Sequence, residues 1–150
     1  MFEPDIVVHD RKGNLVMIVE VKRKWGTSQK WAIEIISHIL KNEYVLQAPY
    51  FLLALPDRFY LWKKQSEGYN PEPDYEIDAT LILQPYFESA KVDPKQITPD
   101  GFELLLTIWL RDWLIVKDMV DLPEEDAKWF IESGLYELAQ DGWAGLGVTA

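Results

Sequence analysis

Pro4-Asp5-Ile6-Val7-Val8 and Leu15-Val16-Met17-Ile18-Val19-Glu20-Val21-Lys22 read as the two strands of a hairpin. Side chains alternate between the faces of a strand. Met17, Val19 and Val21 therefore take one face, and Val16, Ile18, Glu20 and Lys22 the other. Charged residues at the end of an otherwise apolar strand need a reason, because a buried charge is costly unless it is paired or binds a cation. The segment between the strands, His9-Asp10-Arg11-Lys12-Gly13-Asn14, is made of turn formers. A hairpin centred between Lys12 and Gly13 sets Asp5 opposite Glu20, with Cβ atoms roughly 5 Å apart. Two facing carboxylates repel each other, and a divalent cation relieves that repulsion. Oxygen donors of this kind suit Mg²⁺ or Mn²⁺.

Pro4-Asp5, fourteen intervening residues and Glu20-Val21-Lys22 resemble the PD-(D/E)xK signature of the restriction-endonuclease-like nucleases. Pro-Asp recurs at Pro56-Asp57, Pro73-Asp74 and Pro99-Asp100. Only the first pair is followed by an E-x-K tripeptide on a strand pattern. The resemblance implies a mixed sheet flanked by helices, with catalytic residues Asp5, Glu20 and Lys22. It also implies a metal site of Asp5, Glu20 and the Val21 carbonyl, taking Mg²⁺ or Mn²⁺. The function it implies is hydrolysis of phosphodiester bonds, with DNA as the expected partner. It covers about residues 4–64. Members of the superfamily carry a helix, often with a further acidic residue, and a strand ahead of the Pro-Asp strand. Here three residues precede Pro4, so the C-terminal helices, a second subunit or a preceding segment must fill that place.

The rest of the chain is consistent with one α/β domain over residues 1–150. Apolar residues make up 48% and there are seven tryptophans, enough for a proper core. With no cysteine, disulfides, zinc ribbons and thiol catalysis are excluded. No signal segment or membrane span is evident, so cytoplasmic residence is the expectation. The net charge of −10 is uneven. Residues 1–65 carry ten Lys/Arg and seven Asp/Glu (+3), and residues 66–150 carry five and eighteen (−13). The acidic half argues against strong independent binding to a polyanion.

Thr27-Ser28 is a helix cap, and an apolar stripe through Ala32, Ile35, Ile36, Ile39 and Leu40 predicts a helix over 29–43. Residues 50–55 form a buried strand pattern, so 15–22, 29–43 and 50–55 make a right-handed βαβ unit. Residues 58–63 read as a further strand, antiparallel to the third. The acidic stretch 66–78 reads as a surface loop, and 80–87 as a short strand ended by Pro85. A helical C-terminal part spans about 98–150. Within it a helix over 102–120 carries Phe102, Leu105, Leu106, Trp109, Leu110 and Trp113. A second helix starts at Pro123 and breaks at Gly134, and the glycine-rich tail is non-helical.

Arg23, Lys24 and Lys30 surround the start of the first helix, where a phosphate could sit. Trp25 and Trp31 could stack on bases, but tryptophans at that spacing are more often core or packing residues. His9, His38 and Gln29 carry no chemistry in this reading. The Trp109/Trp113 stripe is core or a dimer face. The competing class is a catalytically inactive nuclease fold serving as a protein- or nucleic-acid-interaction module, with a protein partner or a second copy on the C-terminal helices.

Overall fold

The computed structural model describes residues 2–147. Met1 and residues 148–150, the ends of the expected domain span, lie outside the described residues. Six strands form one mixed sheet: β1 (Ile6–His9), β2 (Leu15–Val21), β3 (Tyr50–Ala54), β4 (Arg58–Lys63), β5 (Tyr75–Asp78) and β6 (Trp143–Leu146), in the order β5-β4-β3-β2-β1-β6. The β2–β3 pair is parallel and the other four pairs are antiparallel. The four expected strands and the expected crossover are present, and β2 lies inside the sheet. Glu20 on it and Lys22 just beyond it are therefore not an edge-strand device against aggregation.

The hairpin turn is held by Asp10, whose Oδ1 accepts from the backbone N–H of Lys12 and of Asn14, while Gly13 takes a φ of +86°. The pairing Ile6↔Val19, Val7↔Ile18 and Val8↔Met17 matches the expected register. It shifts between Val8 and His9, leaving Val16 as an extra residue on β2. That bulge corrects the face assignment of Val16, which packs with Met17 and Val19 rather than with Ile18.

Both faces of the sheet are covered. Helix α1 (Gln29–Ile36), capped by the Ser28 hydroxyl, lays Ala32 and Ile36 on Val7, Ile18, Phe51 and Leu53. It stops seven residues short of the expected end. The chain then tightens into 3₁₀ turns at Ile39–Lys41 and Val45–Gln47. The crowding of β-branched Ile33, Ile35, Ile36 and Ile39 and the local bonding of Ser37 to the Glu34 carbonyl disfavour further α-helix.

The opposite face carries α2 (Thr80–Ala90), α3 (Pro99–Leu114), α4 (Lys128–Glu132) and α5 (Leu135–Ala139). Residues 80–87 are thus helix, not strand. Pro85 sits inside α2 on its exposed side, where the carbonyl it leaves unpaired can meet water, while Ile82, Leu83 and Phe87 enter the core. The supposed loop 66–78 ends in β5, an edge strand with one buried residue, Ile77. Helix α3 begins at Pro99 with Thr98 as its cap and ends six residues before the expected 120. The helix expected from Pro123 starts five residues later as α4, and Gly134, at φ +84°, separates it from α5. The glycine-rich tail forms β6 on the outer side of β1. Trp109 and Trp113 lie in the core against Phe59, Trp129 and Phe130, which removes them as a dimer face.

Candidate functional site

The acidic site forms where β1 begins and β2 ends. Continuing the β1–β2 pairing by one residue sets Asp5 opposite Glu20. Asp5 is held from two sides. Its carbonyl accepts from Gly147 N–H at 2.9 Å, and its Oδ2 accepts from Val21 N–H at 2.8 Å. The side chain thus completes a bond to β2 where the β1 backbone no longer does. Gly147 has to be glycine for this approach, since a Cβ there would lie 2.0 Å from the Pro4 carbonyl oxygen.

The Glu20 and Asp5 carboxyls are within hydrogen-bonding reach. Burial, followed by the hydrogen bond and charge of Asp5, pushes the Glu20 carboxyl up to about 8, against a smaller opposing pull from Lys22 and the Val21 backbone. Burial and Asp5 thus bias the Glu20 carboxyl toward its protonated form, in which it donates a hydrogen bond to Asp5.

A third carboxylate arrives from the far end of the sequence. Glu103 lies in the second turn of α3, beside the fully buried Phe102. Its carboxyl is also raised, first by burial and then by the charge and hydrogen bond of Asp5. Arg111 Nε donates to the Ala144 carbonyl at 2.7 Å, tying α3 to β6. Since β6 also carries the bond to Asp5, helix and strand are positioned together. Sequence reasoning missed Glu103. The available signal was its place next to the apolar stripe, one residue from Phe102 and three from Leu106.

Asp5, Val21, Lys22, Arg23, Pro99 and Glu103 line a cavity of about 340 Å³. Lys22 follows β2 directly, its N–H bonded to the Ala54 carbonyl and its side chain exposed. It acts electrostatically on Glu20 from there. Arg23 bridges to the Ile97 carbonyl through Nη1 at 2.7 Å.

Among the described residues no three His, Cys, Asp or Glu side chains are gathered closely enough to hold an ion unaided. Asp5 meets Glu20 and Glu103 as separate pairs. Such a donor set suits Mg²⁺ or Mn²⁺ through one or two carboxylates completed by water. The residues fit that kind of ion because carboxyls that resist ionisation together gain most from a cation between them.

Of the other residues singled out, Trp31 lies under the Lys24 ammonium at 5.1 Å and Trp25 under that of Lys95 at 4.7 Å. Lys30, His9, His38 and Gln29 are outside the residues lining the cavity. Among the described residues no helix is long and apolar enough to cross a membrane. No known family, curated protein or solved structure matches the chain.

Proposed function

We propose that the chain is a divalent-metal-dependent nuclease with a restriction-endonuclease-like fold, hydrolysing phosphodiester bonds, with DNA as the expected substrate. One observation carries the reading. Asp5 lies within hydrogen-bonding reach of Glu20 and of Glu103, while Lys22 opens onto the same cavity. In this reading α3 and β6 stand where the superfamily has its N-terminal helix and strand, and Glu103 takes the role of the further acidic residue.

Asp5, Glu20 and the Val21 carbonyl would hold Mg²⁺ or Mn²⁺, with Glu103 joining directly or through water. When bound, such a cation supplies Lewis acidity toward water and phosphate oxygens. The protein's own groups account for the rest. Glu20 gives up its proton on loading the site, so affinity for the cation rises with pH. The Lys22 ammonium compensates charge gathering on the phosphoryl oxygens as a water oxygen bonds to phosphorus and the bond to the leaving sugar oxygen breaks. Arg23, fixed by Ile97, offers a second positive charge at the cavity wall.

Calorimetric titration with Mg²⁺ or Mn²⁺, alongside cleavage of single- and double-stranded DNA and RNA, tests this. Wild-type protein should bind metal and cut. Glu20→Gln should lose both, and Lys22→Ala should bind metal yet lose cleavage by at least two orders of magnitude. Glu103→Gln should weaken metal binding roughly tenfold. Wild-type protein that neither binds metal at millimolar concentration nor cuts any of these substrates removes the enzyme reading.

The interaction-module reading would then lead. It is favoured by Leu104, Ile108 and Ile115, exposed on the outside of α3. An apolar patch on a helix is a common docking surface.

A further inference from the structure

A second cavity of about 600 Å³ opens beside the acidic site, within the size range of small-molecule pockets. No residue lines both, but the two are built on neighbouring segments of the chain. Residues 22 and 23 line the first cavity and Trp25 the second, and the segment 91–95 of the second leads through Ile97 to Pro99 and Glu103 of the first. The Arg23–Ile97 bond stands between them. Three residues of chain span at most about 11 Å, so Trp25 starts within one or two nucleotides' reach of Lys22.

The chemistry of this cavity differs from that of its neighbour. Trp25, Pro56, Phe87 and Val92 make it largely apolar. Trp25 is half-buried and its loop is braced. Gly26, at φ +64°, donates its N–H to Asp57 Oδ2 at 3.1 Å, fastening the loop to the β3–β4 turn. The charged groups are the carboxylates Asp57, Glu88 and Asp93 with the ammonium groups of Lys91 and Lys95, beside the uncharged polar side chains Thr80 and Gln84. One more carboxylate than lysine disfavours a phosphate inside. A flat, uncharged ring with N–H donors on its edge suits both the indole and the carboxylates.

We propose that this cavity receives an unstacked nucleobase of the substrate strand, next to the phosphate lying in the acidic site. The inference rests on the nuclease reading for its substrate and names a selectivity that the reading lacks. The base stacks on Trp25 in place of the Lys95 ammonium, which lies over the ring at 4.7 Å, in a contact tolerant of base identity. The carboxylates favour the bases with an exocyclic amino group, adenine, cytosine and guanine, over thymine. The phosphates stay outside, along Lys22, Arg23 and Lys24.

Uncharged nucleosides test the cavity without the phosphate site. Deoxyadenosine, deoxycytidine and thymidine are titrated into ¹⁵N-labelled protein, following the indole N–H signals and the backbone amides of residues 91–95. Trp25→Phe assigns the indole. Deoxyadenosine and deoxycytidine should shift the Trp25 indole and those amides, with thymidine at least fivefold weaker. Trp25→Ala should lose the response and Trp25→Phe keep most of it.

In cleavage of short single strands, Trp25→Ala should raise KM about tenfold and leave kcat nearly unchanged. Cleavage with an unaltered KM and no nucleoside response overturns the base pocket and leaves the nuclease intact. Nucleoside binding without any cleavage overturns the nuclease and keeps the base site. Equal response to all three nucleosides removes the amino-group selectivity.

Discussion

Helix α3 enters two regions of the same fold that are built on opposite terms. Its middle places Trp109 and Trp113 among Phe59, Trp129 and Phe130, with ring centroids 4.9–6.3 Å apart in tilted and edge-on contacts. Its first turns place Glu103 against Asp5, which already faces Glu20. Aromatic rings at that spacing attract one another and lose nothing by leaving water. Carboxyls brought together lose hydration and, once both are ionised, repel. The aromatic region holds the helix in place, and the acidic region uses the helix to hold groups that would otherwise move apart. Disfavoured local arrangements kept by a stable surrounding are typical of working sites.

The largest expected effect comes from breaking the aromatic side. Trp109 is fully buried, so Trp109→Ala should destabilise the fold by about 3–5 kcal/mol in denaturant unfolding. Its Nε1 has no hydrogen-bond partner, so Trp109→Phe should cost much less, because it also removes an unsatisfied donor. If both substitutions cost the same, the ring contacts are not what anchors α3.

A medium effect should come from relieving the acidic side. In saturating Mg²⁺, at about a hundred times its dissociation constant, wild-type protein should gain about 2.7 kcal/mol in unfolding free energy. Glu20→Gln should gain almost nothing. An equal gain in both proteins would mean that Mg²⁺ acts elsewhere, on the acidic surface of the second half.

The two regions were not equally readable. The strands of the hairpin show a period of two in a run of Val and Ile, and a turn whose Asp10 and Gly13 have obvious local work. This local consistency made the Asp5–Glu20 register readable. The Trp109/Trp113 stripe was just as plain, because helical spacing is a local property. Glu103 was not readable, since its partner lies nearly a hundred residues away and only the docking of α3 and β6 joins them. Residues 80–87 misled for a related reason. Thr80-Leu81-Ile82-Leu83, with Pro85 two residues on, favours a strand locally. Burial of Ile82, Leu83 and Phe87 on one face of a helix outweighs that preference, and Pro85 is tolerated because its side faces water. β6 was hidden because Trp143-Ala144-Gly145-Leu146 pairs through its backbone, and its glycines answer close approaches that no local pattern announces.

Measured over a single pH unit, the smallest expected effect sharpens the comparison most, because it isolates repulsion from packing. Without metal, the Glu20 carboxyl titrates near 8 in the folded protein and near 4.5 in the unfolded chain. Below 4.5 both states carry the proton and the group contributes no pH dependence. Between 4.5 and 8 the folded state holds a proton that the unfolded state has released, so stability falls as pH rises. Above 8 both are ionised and the fall stops. One proton limits the slope to about 1.4 kcal/mol per pH unit. Glu103 adds in the same direction, whereas Asp10 and Asp78, lowered by backbone hydrogen bonds, act oppositely at acid pH. Comparison with Glu20→Gln cancels those shared contributions. Glutamine imitates the protonated acid, so the variant should match wild type near pH 4.5 and become the more stable protein by pH 8. Saturating Mg²⁺, which keeps Glu20 ionised in the folded state, should flatten or reverse the wild-type fall. Unfolding curves at half-unit pH steps measure this. Parallel pH profiles for the two proteins would mean that Glu20 is ionised throughout, and that the acidic site carries no repulsion for a cation to relieve.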